Sequence, residues 1–289
     1  MNSVSYGKQT IVYFGKVSRI ALREKSWKFV VFAAIISFIV ATVTGENMFD
    51  SFEATKSGFF TLASACIWLG IFNSIQSICK EHDIIRSEYR QGMKLSSYIT
   101  ANVMWQAVLC LVQSIVIFVI CISFGFFSNA PDDGVIFPAI IEYFITIYLL
   151  TFGSSVLAIM VSSISGTPLT AMTIMPFVLI LQLIMCGVLF DLAEGGVADI
   201  ISNTTFSKWG MSAFGATADL NALDPKILTM DEVKNTPGML QALEDCFSSV
   251  DAYDPTEENV LGSWLMCIII TVVSAVVSVL GLKIKNRDS

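Results

Sequence analysis

Long apolar runs constrain this chain more than any other feature of its sequence. Six runs approach or exceed the roughly 20 residues that a helix needs to cross the hydrocarbon core of a membrane. They cover residues 28–45, 58–79, 98–127, 137–163, 168–190 and 261–282. Only 14% of the residues are charged, against about 25% in soluble domains. The runs are too long and too uniformly apolar for barrel strands, so residues 28–289 are predicted to form an all-α polytopic membrane domain with six transmembrane helices.

The positions of Lys and Arg predict the orientation of these helices, because cytoplasmic loops are enriched in both residues. Thirteen lie at or before the start of the first run, between the second and third runs, or after the sixth, and four lie on the opposite side. We therefore expect both termini in the cytoplasm. No small-residue cleavage site follows the first run, so we interpret it as a retained span rather than a signal peptide.

Residues 191–260 then form an external segment between the fifth and sixth transmembrane helices. This segment holds 13 acidic residues and three Lys, so the net charge of −7 is mostly external and does not indicate a nucleic-acid partner. The stretches VADIISNTTF, KWGMSAF and PGMLQALEDCFSSV predict short helices within it. Cys246 is the one external Cys, and it is either free, which we favour, or paired with a second copy of the chain.

Residues 1–27 predict an amphipathic N-terminal helix rather than a further span. On a helical wheel, Lys8, Lys16, Arg19 and Arg23 fall within an arc of about 80°, and apolar residues such as Val17 fall opposite them. We expect this interfacial helix to lie on the inner surface of the lipid bilayer. The alternative is a solvated helix against a soluble partner, but the direct connection to a span favours the membrane.

A dense charged segment, ICKEHDIIRSEYRQGM at residues 78–93, separates the second and third runs. Acidic residues precede basic ones, which suits a helix dipole, and Gly92 is a natural stop, so a short helix is predicted over residues 80–92. Charges that only fix topology would not need the acidic residues, whereas a docking surface for a soluble protein uses both signs. The candidate docking residues are Glu81, Asp83, Arg86, Glu88, Arg90 and Gly92.

Motifs of the common enzyme classes are missing from the sequence. It contains no GxxxxGK[ST] phosphate loop, no HExxH, no CxxC spacing, no GxSxG and only a single His. We therefore expect no catalytic residues, no metal site and no cofactor in this chain. The remaining roles are those of a conduit, an anchor or a binding surface.

Three segments resemble the type-2 permeases of ABC transporters, including the G-subfamily of drug and sterol transporters. The run from Asn73 to Tyr98 resembles the loop after the second span of these permeases. MCGVLFDL resembles the end of their fifth span, and KWGMSAFGATADLN resembles an external Lys/Arg-Trp segment. The matching loop positions are Glu81, Arg86, Glu88, Gly92, Met93, Ser97 and Tyr98. The amphipathic helix, the six spans and the long fifth-to-sixth connection also fit, so the resemblance covers nearly the whole chain.

The resemblance implies a permease that is coupled through the helix at 80–92 to ATPase subunits, which bind the ATP and Mg²⁺. Glu81 and Glu88 are then expected to pair with basic residues of the amphipathic helix or of the ATPase, and Arg86 and Arg90 with acidic residues of the ATPase. Two permease copies, forming a homodimer or a related heterodimer, would face each other. Many eukaryotic relatives carry the ATPase in the same chain and have paired external Cys residues. This sequence has neither, which implies a separate ATPase subunit and a bacterial plasma membrane.

Polar residues within the apolar runs are candidates for a substrate pathway. Asn73 and Gln76 share a face of the second span, and Gln182 lies midway along the fifth. The resembling family lines its central pathway with these two spans, which adds apolar neighbours. The pathway candidates are Phe72, Asn73, Gln76, Met175, Leu179 and Gln182. Interhelical hydrogen bonding is an equal alternative for Asn73 and Gln182, and the favoured interpretation of Gln106 and Gln113.

We interpret the chain as the permease subunit of an ATP-driven exporter of an apolar or amphipathic substrate. The alternative is a membrane anchor or scaffold that recruits a cytoplasmic partner without transport, and a channel is a weaker third option. Glu142 is the one acid within a predicted span, and its position near the outer end favours a solvated or paired carboxylate over an ion-transport role. The sequence indicates neither the substrate nor whether the two permease copies are identical.

Overall fold

The apolar runs fold into helices in the structure, a computed structural model that describes residues 5–45, 48–190, 196–223 and 250–287. The helices of these ranges are α1 (Tyr6–Arg23), α2 (Trp27–Thr44), α3 (Phe52–Ser74), α4 (His82–Arg90), α5 (Leu95–Ser123), α6 (Ala139–Ile164), α7 (Pro168–Ile184), α8 (Val197–Ser202), α9 (Phe206–Thr217) and α10 (Glu257–Arg287). Short 3-10 turns and one isolated bridge make up the other regular structure in the described residues. The predicted all-α fold is confirmed.

In the part of the chain that the structure describes, five helices are long and apolar enough to cross a membrane, namely α2, α3, α5, α6 and α10. The fifth predicted span is shorter than expected, because α7 ends at Ile184 after 17 residues. At a rise of about 1.5 Å per residue this helix is about 26 Å long, slightly less than the hydrocarbon core. The chain turns immediately afterwards at Gly187, whose φ of 73° is incompatible with a continuing helix.

Helix α6 lies at the centre of the bundle and packs against α3, α5 and α10. Its buried face is rich in small residues, which let neighbouring backbones approach closely. Gly70 of α3 sits against Thr151 and Ser154 of α6, where a Cβ atom would overlap both residues. This close contact positions the C-terminal end of α3, and therefore also the charged segment that follows it.

The amphipathic helix α1 packs along α5. Tyr6 hydrogen-bonds Thr100 through the two hydroxyl oxygens at 2.7 Å, and the Phe14 ring lies 6.5 Å from the Trp105 ring. The opposite side of α1 exposes apolar residues, among them Ile11. A tight turn at residues 24–26 then leads directly into α2. We call the end of the bundle that carries α1 and α4 the α4 end.

Helices α8 and α9 confirm two of the three helices that were predicted after α7. Gln182 fixes the start of α9, because its Oε1 accepts hydrogen bonds from the backbone N–H groups of Phe206 (2.9 Å) and Ser207 (3.2 Å). Lys208 stabilises the preceding turn through its Nζ, which lies 2.8 Å from Oδ1 of Asp199. The third predicted helix, which begins at Pro237, and the thiol of Cys246 lie outside the described residues.

Candidate functional site

The charged segment forms a helix as predicted, within slightly narrower limits. Residues 79–81 make a 3-10 turn, and α4 follows from His82 to Arg90. Gly92, with φ of 100°, ends the helix. The N–H of Met93 donates to the carbonyl of Glu88 at 3.1 Å, and the N–H of Gly92 donates to that of Tyr89 at 3.0 Å. This pair of bonds is a Schellman motif, which explains why a glycine stands at this position.

One side of α4 is anchored in the bundle by apolar packing. Ile85 is fully buried in a cluster that joins α4 to Tyr98 of α5, Ile159 of α6 and Leu282 of α10. The turn before α4 is held as well, because Ser162 of α6 accepts hydrogen bonds from two successive backbone N–H groups at 3.1 Å. The helix therefore contacts several membrane helices and is not a free loop.

Glu88 connects α4 to the amphipathic helix α1. Its Oε1 lies 2.7 Å from Nζ of Lys16, and both side chains are 28% exposed. The Lys16 ammonium also lies 5.7 Å from the centre of the Tyr13 ring. Burial, with the nearby charge of Glu88, raises the pKa of Tyr13 to about 12, so this phenol is neutral under physiological conditions. Lys16, Tyr13 and Glu88 thus form one half-buried contact between α1 and α4.

Glu81 connects the start of the same segment to α5. Its Oε2 accepts a hydrogen bond from the hydroxyl of Tyr98 at 2.8 Å. Tyr98 is almost completely buried, and its ring meets that of Tyr13 edge to face at 5.8 Å. The two glutamates are consequently linked through a pair of packed tyrosines, and both face into the protein.

The other side of α4 faces outward. Asp83, Ile84, Ser87 and Arg90 are exposed, and they recur at the three- and four-residue spacing of one helical face. Ile84 is 50% exposed and lies between the charged residues of this face. This exposed face carries opposite charges around an apolar centre, the composition expected of a docking surface.

The predicted docking residues therefore differ in position, and Gly92 serves as the stop of α4. Glu81 and Glu88 attach α4 to its own chain, Asp83 and Arg90 lie on the exposed face, and Arg86 is partly buried between them. The pairing of Glu88 with a basic residue of the amphipathic helix, expected from the resemblance, is present with Lys16, whereas Glu81 bonds Tyr98 instead. Sequence reasoning missed the contacts of Tyr13, Tyr98 and Ser162, and it missed Ile84 on the exposed face. One signal was available in the sequence. Ile84 and Ile85 are adjacent apolar residues in a charged helix, and adjacent residues of a helix point to different sides, so they indicate two separate apolar contacts.

The predicted pathway residues of the second span lie near the α4 end. Asn73 exchanges two hydrogen bonds with Gln113 of α5, at 2.6 and 3.1 Å, and Gln113 also donates to the carbonyl of Phe29 at 3.0 Å. Asn73 and Gln113 thus connect α2, α3 and α5, and the interhelical role expected of Gln113 is present. Phe72, Asn73 and Gln76 all line one cavity, which lies between α1, α3 and α5.

The pathway candidates of the fifth span lie elsewhere. Met175, Leu179 and Gln182 are buried on α7, and the Gln182 carboxamide is occupied at the start of α9. None of these three borders the cavity that Phe72, Asn73 and Gln76 line. The single chain does not bring the six candidates together, so their role in a pathway stays a prediction.

Glu142 is completely buried and fully engaged in hydrogen bonds. Its Oε1 accepts from the N–H groups of Ile136 (2.6 Å) and Phe137 (2.9 Å), and its Oε2 accepts from the Thr217 hydroxyl (2.7 Å). The carboxylate joins the loop before α6 to the end of α9. These contacts are those of a paired carboxylate, which the sequence favours over an ion-transport role.

Comparisons with known proteins agree with this architecture. The model of the ABC-2 type transporter family matches residues 17–217, a range that includes α4 and every predicted site residue. The ABC transporter ATP-binding/permease protein Rv1747 of Mycobacterium tuberculosis is 27% identical over 165 residues, which are 56% of this chain and 19% of that protein. This chain thus spans about a fifth of the length of that relative. The family match extends over more than two thirds of the 289 residues, and the chain belongs to the ABC-2 type transporter family.

Proposed function

We propose that this chain is the permease subunit of an ATP-driven ABC exporter, and that α4 is the element on which the ATPase acts. The observation that carries the proposal is the division of α4 into two sides. One side is fixed to α1, α5, α6 and α10, while the other exposes Asp83, Ile84 and Arg90. A helix of this kind receives force on one face and delivers it through the other.

Coupling requires an element with two positions whose relative populations depend on the nucleotide state. Ile85 and Glu88 bind α4 to helices that cross the membrane or lie against it, so a displaced α4 displaces those helices too. A flexible loop could not do this, since it would absorb the displacement. The well-packed turn before α4 and the Schellman motif after it make the segment stiff at both ends.

The membrane arrangement that we propose places the α4 end in the cytoplasm of a bacterial cell. The excess of Lys and Arg at this end supports that orientation. We place ATP and Mg²⁺ on an ATPase subunit that docks on α4; residues 1–289 themselves contain no phosphate-binding loop. Two permease copies, identical or related, complete the assembly and enclose the cargo pathway between them.

An apolar or amphipathic cargo suits the exposed apolar side chains of α3 and α7. Phe72 is 42% exposed and Phe177 is 74% exposed in the single chain. Both lie on the helices that the family resemblance assigns to the pathway. Large exposed apolar side chains on two neighbouring helices favour contacts with lipid-like molecules or with a second copy.

The test is ATP hydrolysis by the complex purified from its native membrane with a mild detergent. Charge reversal at the exposed face, Asp83→Lys together with Arg90→Glu, should lower ATPase association and abolish cargo-stimulated hydrolysis. Lys94→Glu, an exposed charge reversal just beyond α4, is the matched control. If the double variant hydrolyses ATP with normal cargo stimulation, α4 is not the coupling element.

The scaffold interpretation uses the same exposed face and is separated by the same assay. A scaffold would bind its cytoplasmic partner through Asp83 and Arg90, but the complex would show no hydrolysis that responds to cargo. Loss of partner binding in the double variant, without any cargo-stimulated ATP turnover in the wild type, would therefore favour an anchor over a transporter.

A further inference from the structure

Four exposed basic residues surround the turn between α1 and α2. We call them the basic ridge, and they are Arg19, Arg23, Lys25 and Lys28. None of the four forms a salt bridge or a side-chain hydrogen bond within the part of the chain that the structure describes. Glu24 is the one acidic residue among the first 45 of the sequence. The basic ridge therefore carries a local excess of positive charge that its own chain does not neutralise.

The exposed surface of α2 shows where the lipid headgroups lie. This helix is long and apolar enough to cross the membrane, and its exposed residues from Val31 to Ile39 are all apolar. Trp27 precedes them and is 60% exposed, and tryptophan is enriched where the hydrocarbon core meets the headgroups. The last exposed charge before the apolar surface is Lys28. The basic ridge therefore lies at the depth of the phosphate groups of the leaflet at the α4 end.

The contacts of α1 lead to the same depth for its two arginines. One edge of α1 faces α4, because Lys16 meets Glu88 there at 2.7 Å. Leu22 lies about 120° around the helix from Lys16, and it is 68% exposed. The charged α4 suits the aqueous side, whereas an apolar side chain this exposed, close to the start of α2, suits the edge of the hydrocarbon. Arg19 and Arg23 occupy the sector between these two edges, which is the level of the headgroups.

We propose that the basic ridge binds the phosphate groups of anionic phospholipids, while Leu22 and Trp27 pack against the adjoining acyl chains. Arg19 and Arg23 are one turn apart on an exposed face, so their guanidinium groups can share one phosphate, whose oxygens match the donor fork of arginine. An anionic membrane surface attracts each nearby Lys or Arg by about fivefold in partitioning. An acidic soluble partner would account for the charges alone, whereas a lipid surface also accounts for the exposed Leu22 and Trp27 beside them.

The experiment measures which lipid lies next to Leu22 in the purified full-length chain, without ATPase or nucleotide, so that its result does not depend on transport. The photoreactive residue p-benzoylphenylalanine replaces Leu22, and the nanodiscs contain dioleoyl-phosphatidylglycerol and dioleoyl-phosphatidylcholine in equal amounts. After irradiation, mass spectrometry gives the ratio of the two lipid adducts. We expect about tenfold more phosphatidylglycerol adduct at this position. The same label at Val43, which is 71% exposed at the other end of α2, should give a ratio within about twofold of one.

Two double variants that each remove two exposed charges provide the matched comparison. Arg19→Gln with Arg23→Gln should lower the ratio beside Leu22 to about twofold or less, whereas Lys94→Gln with Lys283→Gln, outside the basic ridge, should leave it near tenfold. Both should unfold in detergent within about 1 °C of the wild type, because all four side chains are exposed.

Salt separates the lipid from other sources of phosphate. Raising NaCl from about 0.1 to about 1 M shortens the screening length from about 10 to about 3 Å and should lower the ratio beside Leu22. A wild-type ratio near one, equal ratios at the two labelled positions, or an equal loss in both double variants would each overturn the proposal. Inorganic phosphate that lowers the ratio more than NaCl of the same ionic strength would overturn it too, because the basic ridge would then bind a soluble phosphate compound.

Discussion

The contact between Lys16 and Glu88 gives the sharpest test of how α1 and α4 work together. A double-mutant cycle with Lys16→Met, Glu88→Gln and the double variant isolates this pair. At 2.7 Å and 28% exposure of each side chain, the pair is neither fully solvated nor fully buried. Unit charges 4 Å apart attract by about 4 kcal/mol at an effective dielectric constant of about 20. Lost hydration and side-chain entropy offset most of this attraction, and exposed pairs retain only about 0.2–1 kcal/mol.

For this half-buried pair we expect a coupling energy of about 1–2 kcal/mol, above the exposed range and below that of a buried pair. Thermal unfolding in detergent measures it as a shift of roughly 2–4 °C for each kcal/mol. Arg19→Met, an exposed basic residue on the same helix, is the control and should shift the midpoint by less than about 1 °C. A coupling energy below about 0.3 kcal/mol, the usual error of additivity, would refute the contact.

The role of the Lys16–Glu88 contact in coupling is tested by swapping the two charges in the assembled complex. Lys16→Glu and Glu88→Lys should each impair cargo-stimulated ATP hydrolysis, because each places like charges together at the contact between α1 and α4. The combined swap should recover most of the lost stimulation, since it restores opposite charges. Recovery of thermal stability without recovery of stimulation would mean that this contact braces the fold but does not take part in coupling.

Three further predictions concern neighbouring contacts. Gly92→Ala should destabilise the protein by about 1 kcal/mol, because φ is 100° there and a Cβ meets nothing within 4 Å, while Gly15→Ala inside α1 should stabilise it. Tyr13 contributes stability that is complete below pH 10, its unfolded pKa, and is lost as the pH rises through about 12. Unfolding midpoints of Tyr13→Phe should therefore fall less steeply between pH 10 and 12 than those of the wild type or Tyr89→Phe. A double-mutant cycle between Asn73 and Gln113 should give about 0.6–1.7 kcal/mol in detergent unfolding, and a value near zero would remove their role in joining α3 to α5.

Features that depend on residues close together in the sequence were predictable from it. The glycine stop at Gly92 depends on the chain's own backbone, and its Schellman bonds span only six residues, from Glu88 to Met93. The end of α7 was located by the resemblance of MCGVLFDL to the end of a fifth span, whereas the apolar run alone placed it too late, at residue 190, because Gly187 is surrounded by apolar residues.

Contacts between distant residues could not be predicted in the same way. The resemblance leads to a basic residue of α1 as a partner of Glu88 but does not say which one, because the helical wheel groups Lys16 with Lys8 and Arg19; the docking of α1 on α5 turns Lys16 toward Glu88. Gln182 was considered for a pathway because it is polar within a span. Its partners are backbone N–H groups of Phe206 and Ser207, which no side-chain pattern reveals. In both cases the partner depends on tertiary packing.

The contact between α1 and α4 gives a force on α4 two routes into the membrane. One route runs along the chain, because α4 is joined at its ends to α3 and α5. The other runs through Glu88 to Lys16 and along α1 to α2. The turn between α1 and α2 is suited to this, since Lys25 adopts φ of 61° and the N–H of Ser26 donates to the carbonyl of Ala21 at 3.0 Å, which is the same terminating geometry as at Gly92. A displacement of α4 should therefore reach three membrane helices together. Cutting the second route at Lys16 should weaken the movement of α2 while leaving that of α3 and α5 in place.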